Sequence, residues 1–188
     1  KVDLALRRVS DRAILNAIQD GYFGRPMSAW EESYFGDSMA TTVWEGTGEV
    51  ALRLNEDMTT RLPMNEVVGG LEPGIYALRA AIPGADPYDS PAATQWFVVS
   101  DLGLATMAGT DGLHVFLRGL GSADPREGVE VTLISRANAV LGTAQTDAMG
   151  YARFAPGLMR GTGGASPALV VARDGPGDLT FLSLTDPE

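Results

Sequence analysis

The sequence predicts an all-β chain of two consecutive immunoglobulin-like β-sandwich modules, residues 1–99 and 100–188, the first carrying one short helix. Three observations predict it. After Asp101, short β-favouring runs alternate with turn residues at intervals of roughly 8 to 12 residues, the spacing of sandwich strands. In two of those runs, Leu113, Val115 and Leu117 alternate with His114, Phe116 and Arg118, and Val129, Val131 and Leu133 alternate with Glu130, Thr132 and Ile134, so each has one face for a core. Finally, Trp96, Phe97 and Val98 end one apolar stretch and Leu102 and Leu104 begin another, which places the boundary near Val99-Ser100-Asp101.

In chain order, Val2 to Val9 reads as a strand. Ser10-Asp11 then offers a helix N-cap before Ile14, Leu15 and Ile18, whose spacing suits one short amphipathic helix. Residues 21 to 40 mix Gly, Pro and aromatic side chains and read as a long loop whose aromatics pack on a surface. Strand signals return at Thr41 to Glu45, Glu49 to Leu54, Ile75 to Ile82 and Gln95 to Ser100, with Gly-Thr-Gly (46 to 48), Asn-Glu-Asp (55 to 57) and Pro-Gly-Ala-Asp-Pro (83 to 87) as turns. In Leu71-Glu-Pro-Gly-Ile-Tyr76 the Tyr follows a tight turn at a strand start. Two readings fit it: a tyrosine corner, whose hydroxyl bonds back to upstream backbone, or a half-buried Tyr.

The second module reads as Leu102 to Ala108, Leu113 to Leu120, Val129 to Arg136, Val140 to Thr146, Tyr151 to Ala155, Ala168 to Arg173 and Leu179 to Leu184. Its connections, among them Ala-Gly-Thr-Asp-Gly (108 to 112), Ala-Asn (137 to 138) and Asp147-Ala-Met-Gly150, hold residues that tolerate tight-turn dihedrals. On the outward face Phe116 and Ile134 are apolar where alternation calls for polar residues. They are expected to lie on neighbouring strands and to mark a contact to another module.

Residues that could carry chemistry favour plainer roles. His114 is the only histidine, so a triad or a multi-histidine metal site lacks partners, and it reads as a surface or interface side chain. Asp86-Pro-Tyr-Asp89 and Asp174-Gly-Pro-Gly-Asp178 miss the spacing of an EF-hand and read as solvated turn aspartates. Gly161-Thr-Gly-Gly164 lacks the Lys-Ser/Thr of a phosphate loop and reads as a hairpin connection. Glu31-Glu32 are adjacent, so their carboxylates diverge, and a solvated face is expected. No catalytic, cofactor or metal residue is assigned, and the chain is not expected to be an enzyme; a glycosidase-like carboxylate pair would need a cleft that no spacing predicts.

The charge balance narrows the partners. With 14 basic against 24 acidic residues, a net charge of −10 and Lys only at position 1, there is no basic cluster for phosphates, so nucleic acid is not expected. Cysteine is absent, which removes thiol nucleophiles, disulfides and thiolate metal sites. The sequence starts at Lys1 without a Met or an apolar leader, and the chain reads as excised from a longer one.

Two runs are specific. Asp86-Pro-Tyr-Asp-Ser-Pro-Ala-Ala-Thr-Gln-Trp-Phe-Val-Val-Ser-Asp-Leu-Gly-Leu104 and Val140-Leu-Gly-Thr-Ala-Gln-Thr-Asp-Ala-Met-Gly-Tyr-Ala-Arg-Phe-Ala-Pro-Gly-Leu158 resemble the N-terminal macroglobulin-like modules of bacterial alpha-2-macroglobulins. Pro73-Gly-Ile-Tyr76 and Asp178-Leu-Thr-Phe-Leu182 fit as well. The resemblance implies a fragment of a broad-spectrum endopeptidase inhibitor, a lipoprotein of the cell envelope that is periplasmic, anchored to the inner membrane and entraps proteases after a bait segment is cut. Many such proteins use a Cys-x-x-Gln thioester. That motif is missing here, so no site residue carries over, and the implied partners are neighbouring macroglobulin-like modules, with proteases met only by the full-length parent. Thr146-Asp147-x-x-Gly150-x-Ala-x-Phe154 also occurs in extracellular stalk and adhesin domains, which leaves a binding or stalk module as the alternative.

Overall fold

A computed structural model describes residues 1–10, 13–19, 21–51, 53–56, 58–62, 64–175 and 177–185. They form two compact units, Lys1–Val99 and Ser100–Glu188. Both are built from antiparallel sheets with few helices, and the all-β class holds.

The first unit runs β1 (Val2–Val9), α1 (Ile14–Gln19), α2 (Ala29–Ser38), β2 (Ala40–Gly48), α3 (Asn65–Val68), β3 (Gly74–Ala81) and β4 (Ala93–Val99). Its one sheet among the described residues has the order β2-β1-β3-β4. Strand β1 sits inside it, pairing with β2 on one side and β3 on the other. The layer facing this sheet is helical. Phe35 of α2 is fully buried and meets Trp96 of β4 edge-on at 5.1 Å, and Ile14 and Ala17 of α1 are buried as well. Asp11 and the Leu15 side chain, assigned to the helix start and its apolar face, lie outside the described residues; Ser10 contributes its carbonyl, which accepts the Ala13 N–H at 2.8 Å.

Two expectations fail here. Residues 21 to 40 are no uninterrupted loop: they contain α2, opened by a capping box in which the Glu31 N–H donates to Ser28 Oγ and the Ser28 N–H donates to the Glu31 carboxylate. Two otherwise orphaned donors are thereby satisfied, which starts the helix despite its Gly, Asp and Ser. Second, the described residues from Glu49 to Leu54 form no strand. Strand β2 runs through Gly46-Thr-Gly48 without turning, and among the described residues that follow it before α3 an isolated Arg53–Glu56 bridge forms, with Leu54 90% exposed. No facing surface buries Leu54, and an apolar side chain left in water does not hold a strand.

The second unit is a two-sheet sandwich of β5 (Leu102–Gly109), β6 (Gly112–Gly119), β7 (Glu130–Ser135), β8 (Val140–Gln145), β9 (Tyr151–Phe154), β10 (Pro167–Asp174) and β11 (Asp178–Ser183). One sheet has the order β11-β10-β7-β8 and the other β5-β6-β9. Leu113, Val115 and Leu117 from the smaller sheet and Val131, Leu133 and Val170 from the larger share one core, none more than 1% exposed. Interleaving two apolar faces in this way is the main stabilising term, worth about 25 cal/mol per Å² removed from water. The β8–β9 turn is fixed by Asp147, whose Oδ1 accepts the N–H groups of Met149 and Tyr151. Gly150 closes it at φ +71°, where a Cβ would press on the Leu117 carbonyl.

Candidate interaction surface

The unit boundary is tightly bonded into the sandwich. Asp101 donates its N–H to Asp178 Oδ2 at 3.0 Å, accepts the Leu120 N–H at its carbonyl and the Gly121 N–H at Oδ1, and pairs its Oδ2 with Arg126. Asp178 thus serves β5, and its partner in the predicted pair, Asp174, faces it across the β10–β11 register. Asp86 accepts the Tyr88 N–H at 2.9 Å and, through its carbonyl, those of Asp89 and Ser90. Asp86 bonds local backbone, as turn aspartates do, whereas Asp178 bonds both the adjacent Leu179 N–H and the distant Asp101 N–H. The Gly161–Gly164 segment leads into a 3-10 turn, Gly163–Ala165.

Glu31 and Glu32 diverge, but the solvated face expected for both is corrected. Glu32 is 6% exposed and is enclosed by Arg79 of β3 and by Arg7 of β1, the latter at 3.6 Å. Glu31 holds Arg25 at 2.6 Å as well as capping α2. The hydrogen bonds from Arg25 first, then from Ser28, lower its pKa from 4.5 to about 2. Glu32 is buried and Glu31 is partly exposed, and both carboxylates are engaged by arginine. Of the two readings of Tyr76, the structure selects the tyrosine corner: its hydroxyl donates to the Glu72 carbonyl at 2.6 Å and its ring is 1% exposed. Burial raises its pKa.

Phe116 and Ile134 do not make one contact face. Strand β6 belongs to the smaller sheet and β7 to the larger, and the outward faces of a sandwich look in opposite directions. Ile134 pairs in register with Leu169 and is half-buried. Phe116 is 39% exposed and belongs to a different surface.

That surface is the outward face of β5-β6-β9. Register aligns Ala105, Phe116 and Tyr151 in one row and Met107, His114 and Arg153 in the next. The Phe116 and Tyr151 rings lie 5.3 Å apart, and Tyr151 stacks on His114 at 6.0 Å. The His114 ring nitrogens are fixed at both ends, Nδ1 2.9 Å from the Tyr151 hydroxyl and Nε2 3.1 Å from Asp111 Oδ1. That second bond, ahead of the charge of Arg153, lowers the Asp111 pKa. His114 is therefore half-buried and held, rather than loose on the surface. Met107, 65% exposed, completes an apolar strip flanked by Arg118 and Arg153. The sequence reading found Phe116 but not its row partners, since register could not be read without knowing that β9 pairs with β6. A second exposed aromatic pair lies on α2, where Trp30 and Tyr34 stack at 5.7 Å.

Residues 99–188 match the family described as the bacterial alpha-2-macroglobulin MG3 domain. The chain is 24% identical over 186 residues to alpha-2-macroglobulin of Escherichia coli strain K12, across 99% of this chain and 11% of that protein. It is 27% identical over 193 residues to alpha-2-macroglobulin of Xylella fastidiosa strain 9a5c, across 100% of this chain and 11% of that protein. It thus spans about a ninth of the length of these relatives. In fold it is similar to native E. coli alpha-2-macroglobulin spanning domains NIE-MG1, with a TM-score of 0.77 at 22% identity over 98% of this chain and 84% of that one. The trypsin activated form of the E. coli protein superposes with a TM-score of 0.70 at 24% identity, over 99% of this chain and 12% of that one.

Proposed function

From the premise that this chain is a fragment belonging to the bacterial alpha-2-macroglobulin family, we propose that it is a non-catalytic scaffold segment of a periplasmic, inner-membrane-anchored protein that traps proteases. The observation that carries the reading is the whole-length fold likeness together with the MG3 match over the second unit. Support for a response to proteases comes from the E. coli relative, whose structure was solved in a trypsin activated form. In this role the sandwich holds its shape and passes a rearrangement set off elsewhere through packed interfaces, which switch between discrete arrangements rather than deforming continuously.

The test uses the full-length parent protein incubated with trypsin. Trapping predicts that hydrolysis of a large protein substrate falls at least tenfold while cleavage of a small chromogenic peptide persists. Equal loss of both activities, or of neither, contradicts it. Periplasmic placement is tested by fractionating the cells that produce the parent: release with the membrane fraction of spheroplasts, accessible to added protease, is the expected result.

A further inference from the structure

We propose that the outward face of β5-β6-β9 docks an acidic, partly apolar surface of another domain of the same full-length polypeptide. The proposal rests on the family reading above for the existence of those further domains. The three strands contain no Asp or Glu, although the chain as a whole carries 24 acidic against 14 basic residues. They do contain Arg118, Arg153 and His114, together with Met107, Phe116 and Tyr151. Enrichment in aromatic residues, Met and Arg with depletion of Glu, Asp and Lys is the composition of an interface core. Phe116, 39% exposed, lies on the central strand β6, and Met107, 65% exposed, lies beside it on the edge strand β5.

Charge decides the partner's chemistry. Asp111, in the β5–β6 turn, is the acid that meets this face, bonding His114 and lying 3.5 Å from Arg153. The Arg118 guanidinium donates to the Ala123 carbonyl at 2.9 Å, and no carboxylate pairs with it among the described residues. The face thus carries two guanidinium groups against one carboxylate on a chain of net charge −10, and complementarity to the Arg118 cation selects a carboxylate-bearing partner. The relatives are about nine times the length of this chain. Most of the polypeptide lies outside residues 1–188, and a covalently linked domain enjoys a high effective concentration at this face.

The experiment is site-specific photo-crosslinking in the full-length protein, with p-benzoylphenylalanine replacing Met107 and, as a control, Val140 on the larger sheet. The expected result is an intramolecular crosslink from position 107 to an Asp- and Glu-rich peptide outside residues 1–188. Its yield should fall at least threefold between about 0.05 and 0.5 M salt, as screening shortens from roughly 14 Å to a few Å. The Arg118→Glu, Arg153→Glu double variant should lose the crosslink with an unchanged melting temperature; if it melts early, Arg118→Gln, Arg153→Gln replaces it and should lower the yield about twofold. A crosslink within residues 1–188, to a separate protein, or to phospholipid in anionic vesicles overturns the proposal, as does a yield indifferent to salt. Failure here with trapping intact leaves the family role standing, whereas loss of trapping activity in the parent removes that role without touching the crosslink.

Discussion

Two adjacent carboxylates show how position, more than residue type, sets a role. Glu32 sits between Arg7 and Arg79 at 6% exposure, so removing it leaves two half-buried guanidinium groups without their anion. Glu32→Ala should cost about 3 kcal/mol, read from chemical denaturation of the chain. Glu31 acts through titration. Its folded pKa of about 2 lies below the unfolded value of 4.5, so its contribution is fully present above pH 4.5 and disappears as pH falls toward 2. Melting curves of wild type and Glu31→Gln should therefore differ at pH 6 and converge near pH 2; a constant difference across that range would contradict the assignment. The sequence foretold that the two side chains diverge. It could not foretell that one is buried, because Arg7 and Arg79 are remote in the chain and meet Glu32 only across the folded sheet.

At the scale of elements, the strands after Asp101 were legible because turn residues bound each short β-favouring run, and two of the runs, around Leu113–Leu117 and Val129–Leu133, add a clear apolar alternation. All of them form, within a residue or two of the expected bounds. The turns matter as much as the faces. Gly150→Ala should destabilise the second unit by about 2 kcal/mol, measured by calorimetry, because the φ of +71° is costly for an L side chain and the added methyl meets the Leu117 carbonyl. Helix α2 was missed although Ser28-Ala-Trp-Glu31 spells a capping box; the surrounding Gly, Pro and aromatic residues masked it. The stretch from Glu49 to Leu54 shows the converse error. The β-favouring residues there form no strand among the described residues, and Leu54 remains in solvent.

For the whole molecule, the class was carried by the spacing of strands and turns after Asp101 and the resemblance to bacterial alpha-2-macroglobulins by the runs Asp86–Leu104 and Val140–Leu158, whereas of the first unit's helical layer the sequence foretold α1 but not α2. The contact surface was half legible. Phe116 was flagged by its wrong polarity for an outward position, while Ile134 looked equivalent until topology put it on the opposite sheet. In the proposed scaffold role the segment depends on the rest of its protein for activity. The most direct test adds residues 1–188 alone, at tenfold molar excess, to trypsin digesting a large protein substrate: the rate should stay unchanged, and a stoichiometric block of that digestion by the isolated segment would contradict the account.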